Sequence, residues 1–166
     1  MTWRDLQYLC VNTARQINPD DGTWEITIAG RPYSNNYGYG VLDAYSLVMA
    51  AKEWELVKPQ AWILTHSVQL KNGSMTEDGE FDGGELLSAQ GVESILSVTQ
   101  EMAEDNNFET LEHITVRVWI QHQRRGDVEV EVTSPNGIKS VLAQKRDSDD
   151  ASTGFPGWTF MSVKHW

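Results

Sequence analysis

Cysteine is nearly absent from this chain, and its scarcity limits what can hold the fold together. Cys10 is the only cysteine among 166 residues, so no disulfide can form within the chain. Because Cys10 lies on the apolar side of a predicted helix, we interpret it as a small buried apolar residue and not as a nucleophile. The fold must therefore depend on packing and hydrogen bonds.

Long apolar runs are absent as well. No stretch of the sequence approaches the roughly 18 residues that a membrane-spanning helix requires. Residues 1–5 lack the pattern of a signal peptide. The sequence therefore predicts either a cytosolic protein or one whose targeting segments lie outside this chain.

Basic residues are scarce in the second half, and the formal net charge of the chain is −11. No Lys or Arg occurs between Glu77 and Glu112, and residues 61–166 carry a net charge of −9 against −2 for residues 1–60. Such a charge repels phosphate backbones, which argues against nucleic-acid binding. It is compatible with basic partners, although a solvated acidic surface is the more common explanation.

A first helix is predicted from Thr2 to Gln16, because apolar residues recur there at helical spacing. Thr2 is followed three residues later by Asp5, which resembles a capping box with Asp in place of the usual Glu. Residues 18–22 read Asn-Pro-Asp-Asp-Gly and predict a turn after this helix.

A second helix is predicted from Val41 to Trp54, after a short strand at residues 24–28 and a loop at Tyr33–Gly40 that contains two glycines. Apolar side chains occupy most of this helix, a pattern typical of helices inside a larger protein. One helix and one short strand precede it, which is too little to bury it. We therefore expect its surface to need cover from outside the chain.

The pattern changes from helices to strands after a boundary at residues 55–60. The clearest strand is Leu111–Gln121, where Ile and Val alternate with polar residues. Short alternating strands joined by polar turns are typical of an antiparallel sandwich or jelly roll. The other expected elements are strands at residues 61–70, 95–98, 128–132, 138–142 and 158–166, a helical turn at 101–107, an acidic loop at 72–89, a hairpin tip at Arg124–Asp127 and a turn at Ser134–Gly137.

Several motifs of this chain occur together, in one order, in a known family. They are TWRDLQYL at Thr2–Leu9, YSNNYGYGVLDA at Tyr33–Ala44, Trp54, LEHITV at Leu111–Val116, RRGD at Arg124–Asp127, SPNG at Ser134–Gly137 and GFPGWTFM at Gly154–Met161. With these motifs the chain resembles the proprotein convertases of the kexin and furin type, and fungal kexins more than animal furins. The resemblance covers almost the whole chain, and the acidic loop at 72–89 is the main stretch without a clear counterpart.

The resemblance implies a fold in two parts. Residues 1–57 would be an α/β remnant, the C-terminal end of a subtilisin-like peptidase domain. Residues 58–166 would be the P domain (also called Homo B), an all-β sandwich or jelly roll that is incomplete at its C-terminus. The run 158–166 ends on aromatic and apolar residues with nothing after it to cover them, so we expect a chain that is cut at both ends.

The resemblance also implies a function for the parent protein: a calcium-dependent serine endopeptidase that cleaves proproteins after paired basic residues at late Golgi and secretory-pathway membranes. In that family the catalytic triad, the oxyanion asparagine and the acidic substrate-binding residues all precede the helix that starts at Thr2. No catalytic, substrate-binding or metal residue is therefore assigned to this chain, and calcium is implied only for the parent catalytic domain. The implied partners are the missing N-terminal catalytic domain, within the same protein, and the proprotein substrates. This segment is expected to stabilise and regulate the catalytic domain, and to be inactive and poorly soluble alone.

Three other patterns have simpler structural explanations. The four histidines could in principle serve a triad, but Gly-x-Ser-x-Gly does not occur and we interpret them as structural. Residues 78–83 imitate the start of an EF-hand calcium loop, but the twelfth position is Ala89 where a glutamate is required. Arg125–Asp127 spells an integrin-type tripeptide, for which a structural glycine in a turn suffices.

Two hypotheses remain open at this point. Asn72-Gly73-Ser74 is an N-glycosylation sequon in a polar loop, so Asn72 is a candidate glycosylation site if the parent protein is secretory. The alternative function is a stand-alone β-sandwich binding or adhesion module without catalysis. The pair of helices before Pro59 argues against that alternative, because such a module has no use for them.

Overall fold

Two helices and a small hairpin form the first half of the chain. The computed structural model describes residues 1–78 and 80–166. Helix α1 (Trp3–Thr13) begins after Thr2, whose hydroxyl accepts a hydrogen bond from the Asp5 amide, while the Asp5 carboxylate accepts from the Thr2 backbone N–H. The predicted capping box is therefore confirmed, and α1 ends three residues before the predicted bound of Gln16.

Strands β1 (Glu25–Ile26) and β2 (Pro32–Tyr33) follow as a short antiparallel pair. Helix α2 (Ala44–Ala51) begins after Asp43, whose carboxylate accepts from the Ser46 amide at 3.0 Å. The predicted range for this helix was too long at both ends. At its start the difference has a clear cause, because Asp43 acts as the N-cap and Val41 is engaged elsewhere in a backbone bridge.

That bridge joins the loop before α2 to the end of α1. Arg15 and Val41 exchange backbone hydrogen bonds, each of 2.9 Å. Gly40 precedes the bridge with φ of 124°, and a Cβ atom there would lie 2.5 Å from the Arg15 carbonyl oxygen. Glycine is needed at this position both for its backbone conformation and for the close approach.

The apolar surface of α2 is not covered by the rest of the described chain. None of the helix's residues is buried, and Tyr45 and Val48 are 77% and 56% exposed. This agrees with the expectation that the first half alone cannot bury the helix.

Two antiparallel strand pairs dominate the second half. Strand β5 (Ile114–Ile120) pairs with β8 (Phe155–Ser162), with Ile114 opposite Ser162 and Ile120 opposite Phe155. Strands β6 (Val130–Thr133) and β7 (Lys139–Ala143) form a hairpin across the predicted turn at Ser134–Gly137, which is confirmed. The hydroxyls of Ser140 and Ser162 are hydrogen-bonded at 2.7 Å and link β7 to β8.

The acidic stretch at the start of the second half is less regular. It contains strands β3 (Ser74–Met75) and β4 (Phe81–Asp82), which pair antiparallel, and a short helix α3 (Gln100–Asp105) capped by Thr99. In the described residues the strands make four two-stranded sheets: β1 with β2 in the first half, β3 with β4 in the acidic stretch, and β5 with β8 and β6 with β7 after it. The chain is thus β-rich with a few helices, and a closed sandwich or jelly roll is not confirmed.

Three predicted elements do not form. Residues 61–70 and 95–98 are not strands, and most of their apolar side chains are exposed, as Leu64 and Ile95 are at 85% and 79%. An apolar pattern alone does not make a strand when no neighbour pairs with it. Arg124–Asp127 is not a hairpin tip either, because β5 pairs with β8 and not with the following strand; Arg125–Asp127 forms a 3₁₀ turn instead.

The core of the second half lies between the two strand pairs. Its buried members are Val128, Ala143 and Phe155, and partly buried residues of β5, β6 and β8 pack around them (Val118, Ile120, Val130 and Phe160). The Phe155 ring meets the Trp158 and Phe160 rings edge to face, with centroids 5.2 and 5.5 Å apart. Such aromatic contacts add roughly 0.5–1.5 kcal/mol each to the burial of the rings.

Two expectations about burial are wrong. The aromatic end of the chain is covered and not bare, since Lys164, His165 and Trp166 are all about 5% exposed. Part of their cover comes from Tyr8 and Glu25 of the first half and part from His113, which the pattern of the last strand could not reveal. Cys10 is only half-buried, so it is not the fully buried apolar residue we expected.

Candidate functional site

The contacts between the two halves form the most elaborate polar site of the described chain. Arg4, in the first turn of α1, binds the carboxylate of Glu112 with two of its nitrogens, and the Nε–Oε2 distance is 3.0 Å. The same guanidinium donates to the backbone carbonyl of Lys58 at 2.6 Å. Tyr8, one turn further along α1, donates its hydroxyl hydrogen to Glu112 at 3.1 Å.

This ion pair is well removed from solvent. The side chains of Arg4 and Glu112 are 12% and 9% exposed. Hydrogen bonds from Arg4 lower the pKa of Glu112 and hold its carboxylate in the charged form. Bidentate pairing of arginine with a carboxylate also fixes orientation, because both groups are planar. The contact therefore sets the position of the start of β5 relative to α1.

Asp5 ties three segments of the chain together. Its carboxylate is fully buried and accepts hydrogen bonds from the Thr2 backbone, from the Trp54 indole at 3.1 Å and from the Val57 amide at 2.8 Å. These donors, the Thr2 backbone first, lower the pKa of Asp5 well below its ordinary value. The start of α1, the segment after α2 and the boundary at residues 55–60 are thus joined by the Asp5 carboxylate.

The chain terminus completes the junction. The Trp166 ring meets the Tyr8 ring edge to face at 5.0 Å, and the Tyr39 hydroxyl donates to the Val163 carbonyl at 2.7 Å. The buried Lys164 pairs with Glu25 at 2.9 Å. Strands β5 and β8 form a two-stranded antiparallel ribbon, called the β5–β8 ribbon below. Their antiparallel pairing places Glu112 and the chain terminus at the same end of this ribbon, so one region of the first half contacts both.

A second polar cluster lies at the opposite end of that ribbon. The Asp149 carboxylate accepts hydrogen bonds from the guanidinium groups of Arg125 and Arg146. Hydrogen bonds from Arg125 lower the pKa of Asp149 to about 2. Gly126 is buried beneath the cluster, and a Cβ atom there would lie 2.1 Å from the Arg146 carbonyl oxygen. The Arg125–Asp127 tripeptide is thus a structural turn, as we interpreted it, although not at a hairpin tip.

The sequence-derived site residue, Asn72, stands apart from both clusters. It is exposed in a 3₁₀ turn at Leu70–Asn72, with φ of 60°, and Ser74 of the sequon is exposed at the start of β3. The EF-hand-like run at residues 78–83 includes Gly79, which lies outside the described residues. In residues 1–78 and 80–166, no three or more His, Cys, Asp or Glu side chains are grouped closely enough to hold a metal ion.

Sequence reasoning missed Arg4, Glu112 and Asp149. The pairs they form link residues far apart in the chain, and charged residues in a polar surface pattern give no sign of their partners. A weak signal was available for Asp149, since it follows a Lys-Arg pair in an otherwise acidic loop.

Comparison with known proteins identifies relatives of this chain. Residues 111–166 match the family model described as the proprotein convertase P-domain. Over its full length the chain is 42% identical to Protease KEX1 of Kluyveromyces lactis and 38% identical to the Dibasic-processing endoprotease of Schizosaccharomyces pombe. It is 35% identical to the human Proprotein convertase subtilisin/kexin type 6.

The chain belongs to the kexin-type convertase family. It spans about a fifth of the length of these relatives: 20% of the K. lactis protein, 23% of the S. pombe protein and 16% of the human one. The crystal structure of a serine protease of Aeromonas sobria superimposes on the whole kexin-type chain with a TM-score of 0.63, at 18% identity and over 31% of that protease. That likeness shows a shared fold.

Proposed function

We propose that this chain is the part of a serine endopeptidase that couples the end of its catalytic domain to its P domain. Residues 1–57 would belong to the subtilisin-like domain and residues 58–166 to the P domain. The observation that carries the proposal is the Arg4–Glu112 contact, which joins the two regions through a largely buried, bidentate ion pair. A stand-alone binding module would leave this pair and the buried Asp5 without a role.

The whole enzyme would process proproteins after paired basic residues in the secretory pathway, in a late Golgi membrane. The similarity to relatives such as the dibasic-processing endoprotease of S. pombe supports this activity. The segment would act without a catalytic triad of its own and would stabilise and regulate the catalytic domain. In the described residues no helix is long and apolar enough to span a membrane.

Calcium would be held elsewhere in the enzyme. The described residues of this chain do not fit a calcium site, because they bring no sufficient group of acidic side chains together. The contacts that carry the proposed coupling, those of Glu112 and Asp5, are made between groups of the protein itself.

The exposed surface of α2 supports the stabilising role. An apolar helix with Tyr45 and Val48 facing solvent gains stability when another domain covers it, by roughly 1.5–3 kcal/mol for each large side chain fully buried. We propose that the body of the catalytic domain supplies this cover, and that the P domain forms its sandwich in that context.

A chimera tests the coupling. The matching segment of the K. lactis Protease KEX1 would be replaced by this chain, with and without Glu112→Gln, and cleavage of a Lys-Arg fluorogenic peptide would be measured. The unsubstituted chimera is expected to cleave the peptide. Glu112→Gln should lower the thermal stability by about 3 kcal/mol, because it leaves Arg4 without its charged partner, and should lower the yield of active enzyme with KM unchanged.

The matched control is Glu131→Gln, which weakens an exposed pair with Lys139 and should change the stability by less than about 1 kcal/mol. An inactive but folded chimera would contradict the proposed function. If Glu112→Gln and Glu131→Gln had equal effects on stability, the coupling role of Glu112 would be contradicted, and the proposed function of the enzyme would not be affected.

We also propose that Asn72 carries an N-linked glycan in the secreted enzyme, since its exposed turn leaves room for one. After release of the glycan in heavy-oxygen water, digestion at Lys71 and Glu77 yields a short peptide whose mass marks a formerly glycosylated Asn72. The mark should disappear in Asn72→Gln and Ser74→Ala and persist in Ser74→Thr, because only the last keeps the sequon. An unmarked peptide from secreted, active enzyme would refute glycosylation at this site.

A further inference from the structure

Two pairs of adjacent basic residues occur in this chain, Arg124-Arg125 and Lys145-Arg146. The proposed enzyme would cleave after such pairs, so its own sequence presents two bonds at risk, Arg125–Gly126 and Arg146–Asp147. This concern rests on the proposed function. The fold brings the two pairs to one place, at the end of the β5–β8 ribbon that lies away from the junction.

One carboxylate binds the second arginine of both pairs. Asp149 accepts from Arg125 Nε at 2.8 Å and from Arg125 Nη2 at 2.9 Å, a bidentate contact. The same carboxylate accepts from Arg146 Nε and Nη2, both at 3.2 Å. These are the two side chains that a protease specific for paired basic residues would have to take into its primary pocket.

Aromatic rings hold the other faces of the two arginines. The Arg125 guanidinium lies 4.7 Å from the centre of the Trp158 ring, and the Arg146 guanidinium lies 5.7 Å from the centre of the Phe155 ring. Cation–π contacts of this kind add roughly 0.5–2 kcal/mol each. Both arginines are therefore held by a carboxylate and by an aromatic ring, which is the partly exposed Trp158 for Arg125 and the buried Phe155 for Arg146.

The backbone at the first bond is also engaged. The Gly126 amide donates to the Asp149 carbonyl at 3.0 Å, and the Gly126 carbonyl accepts from the Arg146 amide at 2.8 Å. The Arg125 carbonyl accepts from the Val128 amide at 3.1 Å and from Arg146 Nη2 at 3.2 Å. A serine protease needs this carbonyl to face its own oxyanion donors, so the bond cannot react while these contacts persist.

The first residue of each pair is more exposed than the second. Lys145 is 61% exposed and lies 3.8 Å from Asp147, and Arg124 is 37% exposed with partners at the surface. Protection of the two bonds therefore depends on the second arginines and on what binds them.

We propose that Asp149 is a self-protection clamp: by holding Arg125 and Arg146 together, it keeps the enzyme from hydrolysing its own P domain at two latent sites. Hydrolysis there would add one water across each bond, leaving a carboxylate on the arginine and a new amino terminus on Gly126 or Asp147. Cleavage of a folded protein requires local opening, and its rate follows the population of the open form.

The test uses the complete protein that contains this chain, with its own catalytic serine replaced by alanine. The dibasic-processing endoprotease of S. pombe is added as the probe, and new termini at Gly126 and Asp147 are quantified by mass spectrometry. Asp149→Ala should accelerate cleavage at both bonds at least tenfold over the unsubstituted protein. Glu131→Ala, which breaks an exposed ion pair elsewhere on the P domain, should leave the rates unchanged.

Cleavage by a glutamate-specific protease separates local opening from loss of the fold, because glutamates are spread through the chain. Its rate should be the same for the unsubstituted and Asp149→Ala proteins. If Asp149→Ala unfolds the domain, the near-isosteric variant Asp149→Asn is measured in its place, and its cleavage at both bonds should also be at least tenfold faster than that of the unsubstituted protein. Rapid cleavage of the unsubstituted protein at either bond, or no acceleration in a variant that stays folded, would overturn the clamp.

The result is distinguishable from a failure of the proposed function. The added probe tests whether Asp149 shields the two bonds, whatever the parent enzyme cleaves. Self-cleavage by the same Asp149 variant with its catalytic serine restored tests whether the parent enzyme recognises paired basic residues.

Discussion

At the scale of single residues, buried carboxylates fix the geometry of this chain. Asp5 and Glu112 are both held in the charged form by donors that the fold places around them, and Asp149 gathers two arginines in the same way. Each carboxylate joins segments that are distant in sequence. Apolar burial alone could not specify these contacts, because it has no direction.

The Asp5 carboxylate predicts a pH dependence of stability. Its pKa is lowered in the folded chain, so its contribution is complete above the unfolded value of about 3.9 and is lost as the pH falls below it. Asp5→Asn in the complete enzyme should lower the melting temperature between pH 5 and 7, as followed by circular dichroism. The difference from the unsubstituted protein should shrink below a pH of about 4.

Asp20→Asn is the control for that measurement, because Asp20 is exposed in the turn after α1. It should leave the melting temperature nearly unchanged at every pH. A difference for Asp5→Asn that stays constant down to pH 2 would mean that the charge of Asp5 is not what stabilises the fold.

Gly40 gives a second prediction at this scale. Gly40→Ala forces a side chain into a backbone conformation with φ of 124° and against the Arg15 carbonyl. It should cost about 1–3 kcal/mol of unfolding free energy in urea titrations. Gly22→Ala is the control, because Gly22 is exposed, has open space around its Cβ position and has no positive φ. It should change the free energy of unfolding by less than about 1 kcal/mol. Equal effects of the two substitutions would contradict the close approach at Gly40.

At the scale of elements, the sequence pattern predicted which side chains share a face of a strand better than it predicted which strands pair. The alternation of β5 was visible in the sequence, and its residues do alternate between half-buried and exposed. The choice of β8 over β6 as its neighbour was not visible, because alternation says which side chains share a face and nothing about which strand lies alongside. The capping of α1 was predictable from the sequence, because Thr2 and Asp5 are only three residues apart and their contact does not depend on the rest of the fold.

The exposed surface of α2 yields a prediction about solubility. Tyr45→Ser with Val48→Ser should reduce aggregation of the isolated chain, measured by light scattering, without lowering its melting temperature, because neither side chain is buried. In the K. lactis chimera the same pair should lower the yield of active enzyme.

Leu9→Ala is the contrasting variant, since Leu9 of α1 is fully buried. It should cost about 2–5 kcal/mol in either context. If the α2 substitutions leave both aggregation and chimera yield unchanged, this surface does not bind the catalytic domain.

At the scale of the whole molecule, the two halves are joined by polar contacts around one aromatic residue. Tyr8 reaches Glu112 with its hydroxyl and Trp166 with its ring. Neither partner could be assigned from the sequence, because both contacts span most of the chain. The burial of Trp166 was missed for the same reason, since its ring packs between Tyr8 of the first half and His113, and both are more than 50 residues away in sequence.

We expect the isolated chain to show no peptidase activity on a Lys-Arg fluorogenic peptide, because the family resemblance implies that the catalytic residues precede Thr2. The active chimera is the positive control for the assay. Cleavage by the purified chain, resistant to removal of trace proteases, would contradict the assignment of this segment to a supporting role.

The pairing of β5 with β8 has a mechanical consequence. Glu112 and the terminal residues lie at one end of the β5–β8 ribbon, where Ile114 faces Ser162, and the first half contacts them there through Arg4 and Tyr39. The other end, where Ile120 faces Phe155, is flanked in the chain by Arg125 and Asp149, which bind each other. If the two halves moved relative to one another about the junction, the Asp149 end of the β5–β8 pair would therefore be displaced more than the end that the first half holds.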